Sequence, residues 1–455
     1  MTGVTSVAVV GAILSVGAAH GAPAAPTEWT VYHGNLRGSG AAPLITSIRT
    51  SRAQWTSSAL DGMLYGEPLV WSGQVYVATE NDTVYALSAQ TGAIVWARHV
   101  GTPAAASSLP CGNISPTVGI TGTPVIDSAR HEIFVVSEQA VAGRVRHVLV
   151  GLDTRTGAVV QTGPVDPPNS DPAALLQRTG LTLDGARVVF GFGGLYGDCG
   201  NYHGTVVATS ESGGQPSFYT VDHGAGQHEG AVWMGGAAPV VDAKGHVFVS
   251  VGNGSVTDAS APYDYSDSVL ELTSSMHLVQ YFAPTSWASD NASDLDFSMA
   301  PVLLPTGQVV IAGKSRIVYL LRANRLGGIG TGQTSVGPAC GQDIAGGSAR
   351  IGMTVYLPCL GGVVAVRVGQ YPPSLRVLWS ATSGGGPPIV AAKLIWSIGQ
   401  DGVLYGLDPA TGTVRRRVTL GPVANHFPTP GLGDNLLVAP TSNRVVAFAT
   451  SSRTR

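Results

Sequence analysis

The sequence predicts an all-β, eight-bladed β-propeller of four-stranded antiparallel blades, closed by an N-terminal strand. Three observations carry this expectation: a strand pattern that recurs about eight times, turns built from Asn-Asp and Thr-Gly pairs, and no sustained helical period.

The clearest copy of the pattern is residues 74–96, QVYVATENDTVYALSAQTGAIVW. Apolar residues alternate with period two, Asn81-Asp82 and Gln90-Thr91-Gly92 supply tight turns, and the preceding Pro68-Leu69-Val70 supplies a fourth strand. Residues 402–420 (GVLYGLDPATGTVRRRVTL) and 147–160 (HVLVGLDTRTGAVV) repeat it, with shorter copies at 205–209, 268–272, 317–321, 362–366 and 444–448. The fourth residue of each such strand gives eight anchors: Ala86, Gly151, Ala208, Glu271, Leu320, Ala365, Gly406 and Ala447. Their spacing falls from 65 to 41 residues. A four-stranded blade needs roughly 40–45 residues, so the first half carries insertions. The last copy lacks its Trp-bearing outer strand, and residues 52–58 (RAQWTSS) have the missing pattern. That segment is expected to complete the eighth blade and leave no long open edge. The best helical candidate is short, residues 171–178.

Gly 61 and Pro 29 make about a fifth of the 455 residues, below the low-complexity range, and 44% hydrophobic residues supply a core. A net charge of −3 gives no field for nucleic acid or an anionic membrane, and Arg415-Arg416-Arg417 reads as a solvated strand. Residues 1–21 read as a signal peptide, with an apolar run over 4–19 and small residues at Ala19 and Gly21 before Ala22. Residues 22–51 then form an entry segment, 52–450 the propeller and 451–455 a disordered tail. The mature chain is expected to be secreted or periplasmic, with no membrane span and a small-molecule or protein ligand at the propeller channel. The four cysteines, Cys111, Cys199, Cys340 and Cys359, fit two disulfides in an exported chain. Three pairings exist. Cys340–Cys359 would close a short loop and leave Cys111–Cys199.

Propellers bind ligands where the innermost strands begin, around the channel. The phrases expected there are mostly small or apolar, among them Tyr65-Gly66-Glu67, Gln177-Arg178-Thr179 and Trp233-Met234-Gly235-Gly236. The ionisable exceptions are Glu67, Arg178, Asp296 and His426. His223, His228 and Glu229 in HGAGQHEG are weaker candidates for a metal, because a Gly-rich loop is not the helical zinc signature. Asp264 and Asp267, with Asn253, offer hard oxygen ligands for calcium, although loops use such residues in any case. No nucleophile elbow and no phosphate-binding loop is found.

ATENDTVYALSAQTGAIVW resembles the repeat of pyrroloquinoline quinone (PQQ) propellers, and WTVYHGNLRGSG (residues 29–40) resembles the entry segment of the same exported bacterial proteins. The likeness to quinoprotein alcohol dehydrogenases implies PQQ and Ca2+ over the channel. By resemblance, Glu67 is the acidic quinone contact and Asn253 the calcium-ligating asparagine. Asp294 and Asp296 occupy the region of the catalytic base, and Lys314 is the basic quinone contact. Arg178 joins the cofactor-binding set from its place in the channel. The chemistry would be hydride transfer to a calcium-polarised quinone as a carboxylate takes the alcohol proton. Several features depart from that family. Its adjacent cysteine pair is absent, since Gly112 follows Cys111. In GDCGNYHG the only carboxylate is Asp198, one position from that of the calcium glutamate, and His203-Gly204 stands where the family has Arg-Gly. These departures favour an exported PQQ-like propeller acting as a ligand-binding or scaffold module. The alternative is a PQQ- and calcium-dependent dehydrogenase acting on an alcohol or polyol.

Overall fold

The computed structural model describes Met1, residues 28–424 and residues 427–453. The signal-peptide reading and His426 lie outside the described residues. Eight antiparallel sheets follow one another along the chain. Blade 1 runs from the inner strand Leu69–Trp71 to the outer strand Ile94–His99, and blade 2 from Val125–Asp127 to Val159–Pro164. Blades 3, 4 and 5 begin at Thr182–Asp184, Val240–Val241 and Val302–Leu303. Blades 6, 7 and 8 begin at Ala349–Ile351, Ile389–Ala391 and Gly431–Gly433. Apolar residues fill both faces of the middle strands because each sheet is covered on both sides by its neighbours.

Blade 8 is closed from the N-terminal side. Trp55 and Thr56 pair antiparallel with Ala447 and Val446 of its third strand. Ile45–Ile48 pairs with the far end of that strand, and Ala41–Ala42 adds in parallel to the inner strand of blade 7. Among the described residues the single α-helix is Trp287–Asn291. The predicted helical stretch at 171–178 shrinks to a 3-10 turn, Pro172–Ala174, whose Ala173 N–H is capped by the Asp171 carboxylate. Leu175–Leu176 then pairs with Gly194 and Gly193, so sheet pairing stops the helix after one turn.

Three tryptophans latch neighbouring blades. Trp55, Trp96 and Trp379 lie opposite Ala447, Ala86 and Ala365 in register. Each indole N–H donates to a turn carbonyl of the next blade: Ala89 at 2.8 Å, Thr154 at 2.8 Å and Pro409 at 3.0 Å. Each ring also covers a turn glycine. At Gly92 (φ +73°) a Cβ would stand 2.4 Å from the Trp55 ring, so both conformation and space require glycine.

The entry segment runs across the channel. Trp29 exchanges two backbone hydrogen bonds with Val70 of blade 1, and the Thr30 carbonyl accepts from Ile126 of blade 2. The Leu36, Ser39 and Gly40 carbonyls then accept from Val241, Arg350 and Val390 of blades 4, 6 and 7. The inner strands are short and their N–H groups face the axis. This segment satisfies donors that the blades cannot pair among themselves. Two disulfides tie long connections down: Cys111–Cys199 joins the loop after blade 1 to blade 3, and Cys340–Cys359 joins the loop after blade 5 to blade 6.

Candidate functional site at the channel mouth

The loops that start the inner strands, with the turns between second and third strands, bring five of the predicted residues, Arg178, Asn253, Asp294, Asp296 and Lys314, toward one mouth. Arg178 is buried, and its guanidinium donates to the Thr121 carbonyl (3.0 Å) and the Tyr65 carbonyl (3.4 Å). The Tyr65 and Phe427 rings flank it, each centroid 5.9 Å away. Gly236, at φ +85°, leaves the room it needs, since a Cβ there would lie 2.5 Å from Nη1. No carboxylate pairs with Arg178 among the described residues. Burial lowers its pKa to about 10, with Tyr32 and Tyr65 acting in the opposite direction, so it stays cationic at neutral pH.

From Phe427 the rim continues to Trp233, whose ring is 6.0 Å away, and then to Lys314, whose Nζ lies 5.6 Å from the Trp233 centroid. Lys314 sits between two carboxylates, Asp294 and Asp296, at 2.6 Å from each. Burial opposes its charge, but the two aspartates outweigh this and raise its pKa. Asp296 is buried. Its Oδ1 accepts from the Asn253 N–H at 2.6 Å, and its backbone carbonyl accepts from the Lys314 N–H at 2.9 Å. Burial raises the Asp296 pKa, and Lys314 is the strongest opposing influence. The mouth is therefore an aromatic and cationic rim on one side and a closed Asp–Lys–Asp cluster on the other.

Glu67 belongs to the floor. Its Oε1 accepts from the Trp29 indole and its Oε2 from the His33 N–H, both at 2.8 Å. Burial raises its pKa to about 8 against these two donors. Both oxygens thus hold the entry segment in the channel. The neighbouring His33 ring is stacked on Tyr32, and burial lowers its pKa to about 3.

The calcium reading was tested on the donors present. Lys314 already supplies the positive charge beside Asp296, and a divalent ion added there would be repelled. Asp264 is occupied by Val256 N–H and by the N–H and hydroxyl of Ser266, and Asp198 accepts from the Tyr202 hydroxyl at 2.6 Å. Asp267 is buried, which drives its pKa well up, with Asp296 adding to the effect. Asp296, Asp264 and Asp198 are thus engaged, which leaves Asp267, whose buried oxygens have no partner, without a second free carboxylate among the predicted residues, and the set does not fit a calcium site. His223, His228 and Glu229 do not form a three-ligand group either: His228 faces Glu229 at 3.3 Å, while His223 stacks on Tyr265. Sequence reasoning named Trp233 only within a strand-start phrase and gave Phe427 no role. The signal that would have raised them is a large aromatic in a set of otherwise small residues.

Residues 43–263 match the family model described as outer membrane protein assembly factor BamB. No curated protein matches the sequence. Among solved structures, quinohemoprotein alcohol dehydrogenase from Comamonas testosteroni is similar with a TM-score of 0.70 at 13% identity, over 94% of this chain and 81% of that one. A europium-containing methanol dehydrogenase gives 0.67 at 14% identity, over 93% and 98%. BamB from Moraxella catarrhalis gives 0.54 at 16% identity, over 89% and 98%. At these identities the likeness is one of fold. Repeat, blade count and family model agree that this chain is a PQQ-like β-propeller repeat protein.

Proposed function

We propose that the chain is an exported ligand-binding module whose channel mouth takes a small, flat, carboxylate-bearing molecule without redox chemistry of its own. The observation that carries the reading is Arg178, a buried cation with no carboxylate partner among the described residues, framed by Tyr65 and Phe427. Desolvating a guanidinium costs free energy, which an incoming carboxylate offsets through charge-assisted hydrogen bonds. Trp233 and Phe427 add flat surface for a planar ligand. The two disulfides accord with an oxidising compartment, and no helix among the described residues is long and apolar enough to cross a membrane.

The dehydrogenase alternative needs a free acidic quinone contact, a calcium and a base. Glu67 is bound to the entry segment, and Asp296 is paired with Lys314. A protein-scaffold role is favoured by one observation, the assembly-factor family model over residues 43–263. One experiment separates the readings: titrate the mature protein with PQQ and with benzenetricarboxylate, with and without calcium, and assay dye reduction with alcohols. The module reading expects calcium-independent binding of both compounds and no dye reduction. Calcium-dependent PQQ binding with alcohol-driven dye reduction would establish the dehydrogenase. Binding of neither compound would leave the channel mouth without a ligand role and favour the scaffold.

A further inference from the structure

A second site lies on blade 4, away from the channel mouth. Asp242 opens the turn after the inner strand, His246 precedes the second strand and Glu271 is on the third. One ligating atom from each lies within 4.8 Å of the others. We propose that Asp242, His246 and Glu271 form a zinc site with one coordination position open to the adjoining cleft.

The repeat itself marks the site. Glu271 is the fourth residue of its strand, where the other seven blades carry Ala, Gly or Leu. The residue paired with it, where blades 1 and 6 have their latching tryptophans, is Gln280. Blade 4 therefore carries a buried carboxylate where the other blades carry a small or apolar anchor, at a cost in desolvation that propeller packing does not require. Glu271 is then held in place: His246 Nδ1 lies 2.5 Å from Oε1, and the Gln280 amide donates to Oε2. Asp242 is also fixed, because its Oδ1 accepts from the N–H groups of Lys244 (2.7 Å) and His246 (2.9 Å). Those two bonds use Oδ1 alone and leave the carboxylate its second oxygen.

One imidazole and two carboxylates are a donor set suited to zinc. Three protein ligands leave the fourth tetrahedral position to water or an exogenous donor. Ligand atoms around a tetrahedral zinc stand roughly 3.3–3.6 Å apart, so small side-chain adjustments close the group on the ion. Zinc would take the place of the proton between His246 and Glu271. The group lines a cleft of about 720 Å³ whose wall includes Lys244, Gln308, Arg322 and Tyr371. Lys244 and Arg322 in the cleft wall favour a small anion at the open position. This proposal does not depend on the channel-mouth reading, since the two sites share no residue.

The test is metal counting on the full mature chain. The protein is stripped with a chelator, equilibrated with zinc and desalted, and its affinity is measured by competition with a chromophoric chelator. The wild type is expected to hold one zinc more than His246→Ala. Asp242→Asn keeps the Oδ1 acceptor that shapes the turn, so it should fold normally while binding zinc about 100-fold more weakly or worse. Arg178→Met should hold as much zinc as the wild type. Equal zinc content and affinity in wild type, His246→Ala and Asp242→Asn would overturn the site, as would a wild type that binds no zinc at micromolar free metal.

Discussion

Two arcs of the ring solve the same packing problem differently. Around blades 7, 8, 1 and 2 one continuous hydrophobic core runs from Ile389 through Phe448 and Leu69 to Leu152. The tryptophan latches Trp55 and Trp96 belong to it. At the interface of blades 4 and 5, Gln280 stands in the latch position. It donates to the Ala323 carbonyl and accepts from the Leu326 N–H, each at 2.7 Å. At the interface of blades 3 and 4, Arg187 reaches the Ser274 carbonyl. The indole combines one hydrogen bond with large apolar burial, whereas the polar latches keep the hydrogen bonds and give up the area. The ring is thus latched by tryptophan where it closes, while blades 3 to 5, which share a hydrophobic core of their own, set polar latches beside a cleft and the Asp242, His246 and Glu271 triad.

Mutations can break this comparison, beginning with the largest effect. Trp96→Ala should lower unfolding free energy by ~3–5 kcal/mol, the cost of emptying a buried indole site. Trp55→Ala should act similarly and also loosen ring closure, seen as faster proteolysis near both chain ends. Gln280→Ala should cost less, ~1–3 kcal/mol, from lost hydrogen bonds and an unsatisfied Glu271. Denaturant midpoints check the order. Equal losses for Trp96→Ala and Gln280→Ala would mean that the two latch types carry equal load.

A smaller effect is a pH slope. Burial raises the pKa values of Glu67, Asp82 and Asp222 to about 8. These acids favour the fold when protonated, so their contribution falls as pH rises from the usual carboxylate range through about 8. His147 is buried, but Asp166 and Glu138 raise its pKa to about 9, so its contribution is full below about 6.5 and lost through about 9. His33 acts only on the acid side, where the unfolded ring protonates first. Melting temperature should therefore fall from pH 6.5 to 9, and less steeply in Glu67→Gln. A rising melting temperature over that range would contradict these environments.

The blades were legible because their signal is local. Alternation and Thr-Gly turns repeat within twenty or so residues, and the Trp55 strand was recognisable because blade 8 lacked its partner. The helix at Trp287–Asn291 was missed because five residues show no period. At the mouth, Arg178, Lys314, Asp294, Asp296 and Asn253 do gather. The role of Glu67 was hidden because its partners, Trp29 and His33, are 38 and 34 residues away and belong to a segment that reads as a mere leader into the ring. The pairing of Lys314 with Asp296 depends likewise on a contact between separate loops. Glu271 was visible as the one charged anchor among eight, but its meaning needed the positions of His246 and Asp242.

The central claim is that Arg178 makes the channel mouth a carboxylate site. Calorimetric titration of benzenetricarboxylate into wild type and Arg178→Met tests it most directly. The account predicts a loss of affinity of roughly 10- to 100-fold in the variant, the worth of a charge-assisted hydrogen bond, in a protein that still unfolds cooperatively. Equal affinity in the two proteins would contradict it.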